Sequence, residues 1–205
     1  MITVLVADDQ AIIAEALAAL LRTESDLEVV ALASSAPESV RRAAELEPDV
    51  VLIDVQMPGT PDCRDGIDAT AAIVAARPTA KVIVLTTFGR PGYLRRAMEA
   101  GAVGFIVKDA SADRLVGAIR RVTAGLRVVD PTLAAESLSI GPSPLTQRET
   151  AVLQAAAGGG TSAAIAAAVF LSEGTVRNHL SAAIGKLGAG SRAEAVRIAT
   201  DNGWL

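Results

Sequence analysis

The strongest constraint on the fold is the stretch Val50-Val51-Leu52-Ile53-Asp54, followed closely by Met57-Pro58-Gly59. Four apolar residues in a row, ended by a carboxylate and then by Pro and Gly, read as a short strand buried on both faces. Such strands belong to parallel sheets covered by helices on both sides. In those sheets ligands sit outside the carboxyl ends of the strands. Asp54 is delivered to such an end and is therefore the first candidate functional residue.

The flanking sequence repeats this pattern. Further strands are predicted at residues 2–7, 27–32, 81–86 and 104–107. Between them lie helical signals. Ile13, Leu17, Leu20 and Leu21 recur at helical spacing. Ser35 offers an N-cap, with Pro37 in the first turn of a helix reaching about Leu46. Further helices are predicted from Ile67 to Ala76, from Pro91 to Ala100, and after a cap at Ser111, with Leu115, Val116, Ile119 and Val122 on the inner face. The alternation implies an α/β domain over residues 1–125: a doubly wound, five-stranded, flavodoxin-like parallel sheet of order 2-1-3-4-5. Residues 126–144, with Pro131, Pro142 and Pro144 around a weakly helical middle, read as a linker. Residues 145–205 give only helical signals, at about 147–157, 162–168, 173–187 and 191–202, and are expected to form a small all-α domain.

Composition narrows the class. A net charge of −4 excludes a polybasic coat for nucleic acid and leaves room for a local DNA-binding face. Cys63 is the only cysteine of the 205 residues, so no intrachain disulfide forms, which fits a reducing cytoplasm. The chain enters directly with Ile2-Thr3-Val4-Leu5-Val6, without a basic segment, so no signal peptide is expected. Residues 150–172 carry no charge, but Gly158-Gly159-Gly160 and Thr161 interrupt them, and no membrane insertion is expected.

With strand order 2-1-3-4-5, the ends of strands one and three adjoin, and Asp8, Asp9 and Asp54 converge. Three such carboxylates are unfavourable together unless a cation sits among them. All-oxygen ligation suits Mg2+ or Mn2+. Thr86 ends strand four and Lys108 follows strand five, both placed to hold an anion on Asp54. The chemistry that fits is phosphoryl transfer onto Asp54. Singly, each residue has an ordinary reading as a turn acid, a cap or a solvated charge; their placement on four strand ends carries the argument.

Together, Val6-Ala7-Asp8-Asp9, Asp54-x-x-Met57-Pro58, Leu85-Thr86 and Gly101-Ala102-x-Gly104-Phe105-x-x-Lys108 resemble a response-regulator receiver domain across residues 2 to about 125. The resemblance implies that a histidine kinase phosphorylates Asp54. It implies that Asp9, Asp54 and the backbone carbonyl of Gln56 ligate Mg2+, with Asp8 acting through water. Lys108 would pair with the phosphoryl group, Thr86 would swing to hydrogen-bond it, and Phe105 would move inward. Gln56 and Phe88 would flank the path of hydrolytic water, and a bulky Phe88 points to a long-lived phosphoryl group. Two departures stand out. Thr60-Pro61-Asp62-Cys63-Arg64 reads as an insertion of about four residues, because the Gly expected eight residues after Asp54 comes at Gly66; Cys63 there is expected to be an idle exposed thiol. Asp109 also replaces the Pro that often follows the Lys with a cis bond, and a cis bond to Asp would cost ~3 kcal/mol more than trans.

In the C-terminal part, Ser172 can cap a helix in which Val176, Leu180, Ile184 and Leu187 share one face, leaving Arg177, Asn178 and Ser181 outward. A short polar face with Arg and Asn suits base edges and phosphates in a major groove, and a merely solvated face is the alternative. The wider pattern, Leu145-Thr146-x-Arg148-Glu149, Val152-Leu153, Ile165-Ala166, Leu171-Ser172-x-x-Thr175-Val176-x-Asn178-His179 and Lys186-Leu187, resembles the LuxR/NarL helix-turn-helix domain. Helix 173–187 would be the recognition helix, with Thr175, Arg177, Asn178, Ser181 and Lys186 as DNA-binding residues, and the last helix would dimerise. Ala163, Ala164 and Ser181 stand where the family often has charged residues. Segment 145–205 holds five basic residues against four acids, so binding to double-stranded DNA should need a homodimer on two half-sites. Leu85 to Tyr93, Gly174 to Asn178 and Gly203-Trp204-Leu205 look most like the DesR-type branch of this family. In that branch a membrane kinase senses lipid order and dimerisation uses the first and fifth helices; the resemblance does not transfer the signal.

The reading is a two-domain transcriptional response regulator. A phosphohydrolase using Asp54 is a rival, weakened by Gln56 where the aspartyl phosphatases need a second Asp. A regulator acting through protein contacts alone is the other.

Overall fold

The computed structural model describes residues 1–205 apart from Phe88, Ile140 and Pro142 and the side chains of Thr132, Leu138 and Ser139. The chain divides into two compact units, residues 1–89 with 94–134 and residues 90–93 with 135–205.

The first unit is a twisted parallel sheet flanked by helices. Its strands are β1 (Ile2–Ala7), β2 (Leu27–Ala33), β3 (Val50–Asp54), β4 (Lys81–Thr86), β5 (Gly104–Val107) and β6 (Val128–Val129). The helices between them are α1 (Ala11–Leu21), α2 (Ala36–Leu46), α3 (Gly66–Ala76), α4 (Pro91–Glu99) and α5 (Ala112–Thr123). Every residue of β3 is buried, and Val50 to Ile53 are fully so. The double-sided burial predicted from the apolar run is therefore present, and each such side chain contributes ~1.5–3 kcal/mol of hydrophobic stabilisation. Helix starts are fixed by side-chain caps. Ser35 accepts from the Glu38 N–H, Asp65 from those of Ile67 and Asp68, and Ser111 from that of Arg114.

The sheet corrects one expectation. It has six parallel strands in the order β2-β1-β3-β4-β5-β6, so the predicted five-stranded sheet of order 2-1-3-4-5 gains a strand beyond β5. Val128 and Val129 pair with Gly104 and Phe105, and the Val128 N–H donates to the Val103 carbonyl at 3.0 Å. Two residues are too few to display a period of two, so no sequence pattern announces them. The stretch expected to be linker also contains a helix, α6 (Pro131–Ser139). Its start carries a recognisable signal, Asp130-Pro131, and Asp130 accepts from the Leu133 N–H at 3.3 Å.

The C-terminal helices are α7 (Gln147–Ala157), α8 (Ser162–Val169), α9 (Glu173–Lys186) and α10 (Arg192–Asp201), within two residues of the expected bounds. They close on a core of Val152, Leu153, Ile165, Val176, Ala183, Ala195 and Ala199. The alanines let the helix axes approach closely, which is how this unit packs with so few aromatics. The uncharged run 150–172 is split at Gly159 and Gly160, both at positive φ (81° and 94°), so it forms parts of two short helices. No helix among the described residues is long and apolar enough to cross a membrane.

Candidate functional site

Parallel pairing places the strand ends at one level. Ala7 is in register with Ile53, Asp54 with Leu85, and Thr86 with Val107. The residues that follow β1 and β5 therefore emerge on either side of Asp54. Oxygen atoms of Asp8, Asp9 and Asp54 all lie within 4.8 Å of one another. Asp8 and Asp54 are buried, at 1% and 4% exposure, whereas Asp9 is exposed. Lys108 Nζ stands 2.7 Å from Asp8 Oδ2 and 3.2 Å from Asp54 Oδ1. Asp8 Oδ1 accepts from the Gln10 N–H at 3.0 Å.

Burial pushes the Asp54 carboxyl above the ordinary aspartate range; Lys108 opposes that rise and Asp8 adds to it. Three carboxylates face one ammonium, and the donors are hard oxygens around a partly exposed mouth. That donor set fits a divalent cation of the Mg2+ type better than a thiophilic metal.

Thr86 is buried at the end of β4, and its carbonyl accepts from the Lys108 N–H at 2.7 Å, so these two expected anion-holding residues are neighbours. Phe105 is 1% exposed on β5, in register with Val84. Gln56 is exposed in the loop after β3. Phe88, expected to flank a water path, lies outside the described residues. The Lys108–Asp109 peptide is trans. Cys63 is half-buried rather than exposed, and burial, with Asp68 and Asp65 nearby, pushes its thiol up and away from the reactive thiolate form.

On α9, Val176 and Leu180 are buried, and Ile184 and Leu187 pack against the same core. Arg177, Asn178 and Ser181 are exposed together, and Thr175 is half-exposed. Ser172 caps the helix, accepting from the Thr175 N–H at 3.1 Å, and its hydroxyl lies 2.8 Å from that of Thr175. Among the described residues Arg177 reaches Glu173 alone, at 3.6 Å, in an exposed pair that costs little to break. Lys186 stands apart from this set. Its ammonium donates to Glu149 Oε2 at 2.7 Å, and Glu149, 5% exposed, also accepts from the Thr146 N–H at 2.7 Å. Thr146 and Glu149 form a reciprocal capping box at the start of α7. Glu149 enters the luxR-type pattern without a role in the sequence, and the spacing Thr146-x-x-Glu149 is the signal for the capping role that it has here. Lys186 and the Thr146 backbone N–H hold its carboxyl below the ordinary glutamate value.

A doubly wound sheet with an acid cluster and a lysine at its carboxyl edge, on a chain that also carries a capped helix-turn-helix, has the architecture of a regulator with a nucleic-acid-binding module. Comparison with known proteins gives the family. The response regulator receiver domain matches residues 4–120, and the luxR family of bacterial regulatory proteins matches residues 143–199. The chain belongs to the transcriptional response regulators with a luxR-type DNA-binding domain. It is 40% identical to the uncharacterized transcriptional regulatory protein YvfU of Bacillus subtilis and 37% identical to the transcriptional regulatory protein DesR of the same organism, each over the whole length of both chains. RcsB of Salmonella enterica serovar Typhimurium, solved bound to a promoter in the presence of phosphomimetic BeF3-, shares its fold, with a TM-score of 0.71 at 23% identity over 98% of each chain.

Proposed function

We propose that Asp54 accepts a phosphoryl group from a histidine kinase and that phosphorylation favours a homodimer that binds double-stranded DNA. The observation that carries this reading is the meeting of Asp8, Asp9, Asp54 and Lys108 at the carboxyl edge of the sheet. An Asp54 carboxylate oxygen attacks phosphorus, the bond to the donor nitrogen breaks, and its electron pair stays with the donor. Asp9, Asp54 and the Gln56 carbonyl would hold Mg2+, with Asp8 acting through water. Bound there, the ion neutralises charge on the entering phosphoryl group. Lys108 turns its ammonium from the carboxylates to a phosphoryl oxygen, and the Thr86 hydroxyl takes another. Phe105, already within the core, fills the space that Thr86 leaves.

For the dimer, the apolar strip shared by α1 and α5 is the supported face. Ile13, Leu17, Leu20, Ala112 and Leu115 line a shallow groove of about 160 Å³, and Ile12 on α1 is 83% exposed. For DNA, the exposed N-terminal half of α9, with Thr175, Arg177, Asn178 and Ser181, is the reading face; Lys186 serves α7 instead. Operation on DNA places the protein in the cytoplasm.

The test is a mobility-shift and sedimentation assay of the full chain with acetyl phosphate or beryllofluoride and Mg2+. Both treatments should raise the dimer fraction and tighten DNA binding, and Asp54→Asn should do neither. Unchanged mass and unchanged affinity in the wild type would overturn the reading.

A further inference from the structure

The segment between Asp54 and α3 is longer than the receiver pattern requires, yet it is tightly organised. It starts and finishes on the same piece of backbone. The Gly66 N–H donates to the Val55 carbonyl at 3.0 Å, and any Cβ at Gly66 would collide with the Asp54 carbonyl oxygen. Only glycine permits that closure. Inside the loop, Thr60 and Cys63 exchange backbone hydrogen bonds of 2.9 and 3.1 Å, and a Cβ at Gly59 would strike the Cys63 and Arg64 carbonyls. The loop is therefore closed at its base and cross-linked at its tip.

Its last residue faces two ways. Asp65 Oδ1 caps α3, accepting from the N–H groups of Ile67 and Asp68 at 2.9 and 2.8 Å. Asp65 Oδ2 accepts from Arg96 Nη2 on α4 at 2.9 Å. Arg96 also lies 4.0 Å from Asp68, but Asp68 is already taken. It accepts from the Arg64 backbone N–H at 3.0 Å and from both arms of the Arg64 guanidinium, at 2.8 and 3.2 Å. The extra residues thus supply an arginine that holds Asp68 at close range, while Arg96 makes its own close contact to Asp65. The Arg96 and Asp65 side chains are only 21% and 23% exposed, so the pair is less screened than one on the open surface.

We propose that the loop from Gln56 to Asp65 is a mechanical tie between the phosphoacceptor and α4, with Arg96 the positioning residue that receives it. A displacement of the Asp54 backbone passes through the Val55–Gly66 closure at the base of the loop to the adjoining Asp65, and the cross-linked loop keeps that path from yielding. The fixed cap at α3 then directs it onto the Arg96 guanidinium. The inference rests on Asp54 being the phosphoacceptor.

The test is hydrogen–deuterium exchange of the full chain with and without beryllofluoride and Mg2+. It reads loop peptides and α4 peptides separately, in the wild type, Arg96→Gln, Asp65→Asn, the double variant and Arg96→Lys. Asn is itself a good N-cap, so Asp65→Asn spares α3. In the wild type both regions should change on beryllofluoride addition. In Arg96→Gln and in Asp65→Asn the loop change should persist while the α4 change falls about fivefold, the lower end of ordinary allosteric coupling. The double variant should be no worse than either single one, and Arg96→Lys should restore most of the response. An α4 change equal to wild type in both single variants, even with a lower melting temperature, overturns the tie. No loop change in the wild type overturns the phosphoacceptor reading and the tie together.

Discussion

In the first unit, Lys108 and Asp8 are 100 residues apart in sequence and 2.7 Å apart in space, and they meet Asp54 from a third strand. On α9, by contrast, Arg177, Asn178 and Ser181 lie within about one turn and a half of a single helix, exposed and, among the described residues, nearly free of partners. The first arrangement is collective: each charge is buried against the others, so altering one re-poises all of them. The second is modular: each side chain projects from a fixed frame and should act almost independently. On the proposed reading, the site that is switched is built the first way and the face that reads DNA the second.

The largest expected effect breaks the collective site. Asp54→Asn should abolish phosphodonor-dependent dimerisation completely, read by sedimentation and by phosphate-affinity gel retardation. Because burial and Asp8 disfavour the ionised Asp54, the same variant should melt no lower than wild type in chelated buffer at neutral pH. A large loss of stability would show that the cluster is held together by attraction rather than strained by like charge.

Arg177→Ala comes next and tests modularity. DNA affinity should fall by ~1–3 kcal/mol, roughly fivefold to 150-fold, while phosphorylation of Asp54 is unchanged. Pairing it with Asn178→Ala should give nearly additive losses; strong coupling between the two would place the recognition face among the collective sites.

Glu149→Ala should destabilise the C-terminal unit by ~1–2 kcal/mol through the lost cap and the stranded Lys186. Its effect on DNA binding should follow stability alone. The pH dependence has a definite sign. The folded Glu149 carboxyl lies below its ordinary value of 4.5, so its contribution is fully present above that value. It is lost as pH falls through the lowered one, and acid melts of Glu149→Gln should be flatter over that interval.

The smallest effect concerns Phe170, which ends α8 with φ 55° and is 94% exposed. It carries left-handed strain and buries almost nothing. Phe170→Gly should therefore raise stability by about 0.5 kcal/mol, read as a slightly higher melting temperature.

Much of this was legible before any coordinates. The apolar run Val50–Ile53 and the alternation around it specify a two-sided parallel sheet, and topology then brings Asp8, Asp9, Asp54 and Lys108 together. The modular face was legible for a simpler reason, since the helix period sorts Val176 and Leu180 from Arg177 and Asn178. The misses share one cause. Val128–Val129 is too short to show a period, and the Lys186–Glu149 and Arg96–Asp65 pairs join residues that nothing local connects. Lys186 in particular was expected among the DNA-binding residues because it lies on the recognition helix, and its bond to Glu149, 37 residues away, had no local signal.

The sixth strand has a practical consequence for anyone who divides the chain. A fragment ended at residue 125, where the helical pattern stops, would strip Val128 and Val129 from the sheet. The outer margin of β5 would then present unpaired backbone groups beside Val103, Gly104 and Phe105. Uncovered margins of this sort template pairing between molecules. Such a fragment should self-associate without any phosphoryl group and mimic, by an accident of cutting, the very behaviour that the intact protein is proposed to regulate. A fragment carried past Val129 keeps its margin covered.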